Sequence, residues 1–167
     1  MHGFDHGDWA TIIAAGVAAL VVVVGYIVAQ AQARQERRAK AFAEALAAVE
    51  DYMECPYRIR RRPNSDAATR QAITSAISDI QSRIAFHEAW LQVETPSVAG
   101  KYSDMVKAAR KEAGVQMQQA WQAPVLDSDA ATNLDVRLDR HETDASRAEV
   151  VSAMRKHLHG IRSSQQR

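Results

Sequence analysis

The densest chemistry in the sequence is Tyr57-Arg58-Ile59-Arg60-Arg61-Arg62, with four arginines in positions 58–62 and a proline on either side, Pro56 and Pro63. A guanidinium is planar, permanently charged and grips phosphate oxygens with two parallel N–H groups. Arg58, Arg60, Arg61 and Arg62 are therefore a candidate anion-binding site for nucleic acid or a lipid head group. The competing account pairs them with Glu50, Asp51, Glu54 or acidic neighbours on the next helix, the common fate of a surface charge cluster.

The other reactive side chains form no recognisable constellation. Six histidines are present, but His157 and His159 lie two apart and so point to different sides of a helix. His87-Glu88 has no second histidine four residues on, so the zinc-protease pattern fails. Asp135, Asp139, His141 and Glu142 read as a solvated linker. Cys55 is the single cysteine, which excludes an intrachain disulfide and any multi-cysteine metal site. Seven glycines are too few for a phosphate loop, a dinucleotide fingerprint or a nucleophile elbow. The expectation is a non-enzyme without catalytic residues, metal, cofactor or evident small-molecule substrate.

The elements that must position these groups begin with an uncharged run, Ala10 to Ala29. At 1.5 Å per residue it reaches roughly 30 Å, the thickness of a bilayer's hydrocarbon core. Trp9 and Tyr26 sit where interfacial aromatics are expected. Asp5 and Asp8 precede the run, whereas Arg34, Arg37, Arg38 and Lys40 follow it. This asymmetry predicts a single transmembrane helix over 10–29 in the plasma (inner) membrane, with residues 1–9 outside and a cytosolic domain over 30–162. A cleaved signal peptide is the alternative, given Ala29-Gln30-Ala31 and Ala31-Gln32-Ala33, but the leading segment is acidic and the apolar run long. A straight helix from Ala29 to Cys55 would hold the arginine run roughly 40 Å from the bilayer, far beyond a screening length of about 8 Å.

No stretch alternates with the period of a strand, so the chain is expected to be all-α. The helix leaving the membrane carries Phe42, Leu46, Val49 and Met53 in one stripe and stops before Pro56, leaving Cys55 to Asn64 as a loop. Asn64 or Ser65 is expected to cap a third helix. Its stripe, Ile73, Ile77, Ile80, Ile84, His87 and Leu91, has heptad spacing, and Phe86, Trp90 and Val93 are expected to widen the buried face. Thr95-Pro96 marks the start of a fourth helix with Tyr102, Val106, Ala109, Ala113, Met117 and Trp121. A polar loop follows. A last helix begins at Thr143 or Asp144 with Val151, Met154, Leu158 and Ile161, and residues 163–167 form a disordered tail. Each helix has one stripe to bury, which predicts an antiparallel bundle of about four helices with coiled-coil character. Residues 34–62 carry a net +3, residues 63–100 a net −2 and residues 101–122 a net +2. This alternation suits mutually attracting helices better than a nucleic-acid partner.

From Arg37 to Trp121 the chain resembles uncharacterised single-pass membrane proteins of actinobacterial genomes and their phages. The likeness lies in Ala43-Glu44-Ala45-Leu46, Glu50-Asp51-Tyr52, Pro56-Tyr57-Arg58-Ile59-Arg60-Arg61-Arg62, Ile77-Ser78-Asp79-Ile80-Gln81, Ala85-Phe86-His87 and Ala108-Ala109-Arg110-Lys111-Glu112-Ala113. The resemblance carries no activity or site residues. The anchor and basic helix are also similar in outline to the stalk subunit of rotary ATP synthases, although the break from Pro56 to Pro63 departs from it. The expected function is a membrane-anchored interaction or scaffold protein with the lipid bilayer and a protein partner or second copy as partners. An Arg-loop binder of nucleic acid or lipid, and a phage-type membrane-perturbing or defence effector, are the alternatives.

Overall fold

The computed structural model describes the backbone of residues 6–126, 128, 131 and 138–165, and their side chains except those of 6–15, 17, 18 and 160–165. Five helices account for most of it: α1 (His6–Met53), α2 (Cys55–Arg60), α3 (Ala67–Glu94), α4 (Pro96–Gln122) and α5 (His141–Gln165). Two compact units divide the chain, residues 1–40 and 41–167.

In the first unit, the described large apolar side chains from Leu20 to Val28 lie between 50% and 70% exposed, and Tyr26 accepts a hydrogen bond from Gln30 Nε2 at 2.8 Å. Among the described residues no helix is long and apolar enough to cross a membrane. The expected transmembrane helix and plasma-membrane placement are corrected accordingly. Residues 1–5 of the expected outer segment lie outside the described residues.

The second unit is a helical bundle with one core. α4 packs against α2, α3 and α5, and its Tyr102, Met105, Val106, Ala109 and Ala113 are buried together with Phe42, Ala45, Ala48 and Val49 of α1. The core is built on small residues: Ala45, Ala48 and Ala113 are fully buried. With only a methyl group there, neighbouring backbones come close. The hydroxyl of Tyr102 donates to the Ala45 carbonyl at 3.0 Å, and burial pushes the phenol's pKa well up. Val150 and Met154 supply α5's share of the core.

Three local expectations are revised. Residues 55–60 form helix α2 rather than loop, because Pro56 sits in its first turn, where proline's missing N–H costs nothing. Asp66, not Asn64 or Ser65, caps α3: it accepts the Thr69 N–H at 2.7 Å from an extended backbone conformation. On α3 itself, Ile80, Ile84, His87 and Leu91 are buried, but Phe86 and Val93 are 63% and 80% exposed. The buried face is narrower than expected. Pro96 opens α4 as the sequence predicts. α5 starts at His141, two residues before Thr143.

Candidate functional site

The four arginines of the 58–62 run do not act together. Arg58 and Arg60 lie on the short helix α2, whereas Arg61 and Arg62 follow its end, and Arg58, Arg61 and Arg62 meet different neighbours. Arg58 reaches toward Asp51, at 4.0 Å, a carboxylate that Arg83 of α3 already holds at 2.6 Å. Arg60 is half-buried and Arg61 exposed, with the Arg61 guanidinium 5.6 Å from the centre of the Tyr57 ring.

Arg62 is buried, only 4% exposed, and among the described residues no carboxylate holds it. Its Nη1 donates to the carbonyls of Ile59 and Ala120, both at 2.9 Å. Its Nη2 donates to Ala123 at 2.6 Å and to Trp121 at 3.5 Å, and its Nε to Ser65 Oγ at 3.0 Å. Five N–H groups is the whole inventory of an arginine. The guanidinium also lies over the Trp121 ring at 5.3 Å. The last carbonyls of a helix lack partners of their own and carry the negative end of its dipole. Arg62 is thus the C-terminal cap of α4, with no donor left for a phosphate.

Between α2 and the start of α5 lies a cleft of ≈ 440 Å³ lined by Tyr57, Arg61, Gln116, Arg140 and Asp144 among others. Arg140 is committed inside it, bonded to Glu50 at 2.7 Å and to Asp144 at 3.0 Å; these contacts raise its pKa further. The Tyr57 hydroxyl accepts the Leu138 N–H at 3.2 Å. Cationic and anionic groups are both present, and each polar contact ties one element to another.

Glu112, Asp139 and His141 bring their donor atoms within 4.8 Å of one another, the described cluster closest to a metal site. Sequence reading missed it, because Glu112 is distant in the chain and positions 139–142 looked like linker. The hydrogen bonds account for the cluster differently. Glu112 Oε1 accepts the Glu142 N–H at 2.8 Å, while Oε2 accepts the Thr143 N–H at 3.1 Å and its hydroxyl at 2.6 Å. Asp139 Oδ1 accepts the His141 N–H at 3.2 Å. The first N–H groups of α5 are thereby satisfied by two carboxylates, at the end of the helix whose dipole favours negative charge. Gln116 adds a bond from its Nε2 to the Asp139 carbonyl.

His87 is 6% exposed on α3. The Tyr102 hydroxyl donates to the Ala45 carbonyl, and His87 Nδ1 is buried with no partner among the described residues. Burial lowers its pKa below the ordinary 6.5; Glu44 of α1 opposes that shift and Arg83 of α3 adds to it. A histidine with a depressed folded pKa is protonated more readily when unfolded, so acid favours unfolding. The melting temperature should hold above pH 6.5, fall as pH drops through that value, and level off below the folded pKa. The slope should vanish in His87→Leu, which removes the titration and fills the slot with apolar volume. Equal slopes in the two proteins would assign the acid sensitivity elsewhere.

Cys55 is fully buried, its thiol turned to the Asp51 carbonyl at 3.3 Å, and burial raises its pKa. It is not poised as a nucleophile.

No protein-family model, curated protein or solved structure matches the chain.

Proposed function

We propose that the chain is a non-enzymatic helical interaction module that docks a protein partner, or a second copy, on the uncovered side of α3. The reading rests on one observation: Phe86 and Val93, two turns apart on that helix, are 63% and 80% exposed, with exposed Ala89 between them. Two large apolar side chains flanking a small one leave a ridge, a gap and a ridge, into which another helix can lay its own side chains. Charged groups elsewhere support the reading, because those with described partners serve the fold: Arg62 and Glu112 cap helices, and Arg140 bridges Glu50 and Asp144.

A photo-crosslinking amino acid placed at position 89 of the full chain tests this in the cells that produce it. The expected product is one adduct of defined mass, and changing both Phe86 and Val93 to Ser should weaken its formation by at least about tenfold, the ordinary loss for two interface anchors. A dimer-sized adduct identifies a second copy as the partner. Diffuse labelling, or an adduct indifferent to the double substitution, defeats the proposal.

A further inference from the structure

The heptad stripe of α3 is only half used. Ile80, Ile84, His87 and Leu91 enter the core, but Ile73 and Ile77, the same stripe two turns and one turn earlier, are half-buried. With Ala76 and Ile80 they form one wall of a groove of ≈ 210 Å³, and Cys55 and Arg58 of α2 form the other. The interior asks for no polar ligand, since the Cys55 thiol already has its acceptor in the Asp51 carbonyl. The rim is different. The Arg58 side chain is 51% exposed and stands 4.0 Å from Asp51, whose other oxygen is held at 2.6 Å by Arg83. With Asp51 taken by Arg83, the Arg58 guanidinium is only loosely held at the mouth of an apolar slot.

Shape narrows the occupant. From Ile73 to Ile80 the wall runs about 10 Å along the helix axis. A helix about 10 Å across cannot enter so small a space, and sites for compact drug-sized ligands usually exceed about 300 Å³. A single narrow hydrocarbon tail can enter, whereas two tails together would overfill it. We propose that the groove between α2 and α3 binds a free single-chain amphiphile with a carboxylate head, its tail against Ile73, Ile77 and Ile80 and its head on Arg58. This site is separate from the Phe86 and Val93 surface and does not depend on it.

Decanoate with a photoreactive group at its tail end, below its micelle concentration, tests the site in the full chain. After irradiation and proteolysis, adducts are expected within residues 72–80 and should disappear with excess plain decanoate. Arg58→Ser should reduce them by about tenfold, the loss of one charge-assisted contact, and Ile77→Glu should abolish them. The same tail on a trimethylammonium head should label 72–80 far less. Labelling of the exposed apolar residues 19–29 with either head gives an internal reference and shows that the probe is active in each variant. Equal labelling of 72–80 by both heads would reduce the groove to bare apolar surface. Labelling unchanged by Arg58→Ser, or absent from 72–80, overturns the proposal. So does protection of 72–80 that rises with protein concentration alone, which would make the occupant a second copy.

Discussion

Replacing Arg62 with methionine is expected to lower the unfolding free energy by about 3–4 kcal/mol, which would be a large fraction of an ordinary domain's stability. The size follows from what is left behind. Methionine fills the volume and can rest on Trp121, but it donates nothing to the carbonyls of Ile59, Ala120 and Ala123. Removing a buried cation returns some desolvation energy, which keeps the estimate below the sum of the lost bonds. Lysine should recover less than half, because a point charge on a flexible stem cannot reach acceptors spread around the edge of a guanidinium. Urea unfolding followed by far-UV circular dichroism reads the effect as a shift in midpoint at constant slope. A methionine variant within about 1 kcal/mol of the parent would mean that α4 finds its C-terminal partners without Arg62.

Glu112→Ala is the second substitution of large effect, with an expected cost of about 2–3 kcal/mol. One carboxylate meets two backbone N–H groups and a hydroxyl of α5, so its removal strips the first turn of that helix. Glu112→Gln keeps an acceptor oxygen but brings an amide donor against other donors, and should recover only part of the loss. Thr143→Val removes the hydroxyl alone; its cost should shrink when Glu112 is already alanine, as coupled partners require. Hydrogen exchange separates local from global damage. Faster exchange confined to the first turn of α5 is the expected pattern, and unchanged exchange there would remove Glu112 from its assigned role.

These two residues also show what a sequence can and cannot disclose. All-helical architecture was legible because apolar residues recur at helical intervals and nowhere alternate. Pro96 marked the start of α4 for a reason of local geometry, and local geometry is written locally. Arg62, by contrast, looks in the sequence like Arg60 and Arg61. What distinguishes it is the end of α4, 58 residues away, and nothing in a run of arginines encodes that meeting. Glu112 reads as one charge on a mixed helix until α5 arrives beside it. Phe86 and Val93 misled in the other direction, since a stripe predicts that a face can be buried, not that the chain has a helix to spare for it. The apolar run from Ala10 to Ala29 was judged by composition and length together, yet among the described residues no helix is long and apolar enough to cross a membrane.

The cap of α5 has a consequence for the order in which the protein is made. Its first turn takes acceptors from a residue 31 positions earlier, and the first turn is the costly step in forming any helix. α4 leaves the ribosome before α5 and displays Glu112 ahead of it, so the growing chain carries a seed for α5 when that helix emerges. A nascent chain stalled short of Thr143 should already protect α4 from proteolysis, whereas a separate peptide of residues 138–165 should remain largely non-helical until α4 is supplied. The C-terminal helix is a follower, and its timing belongs to α4.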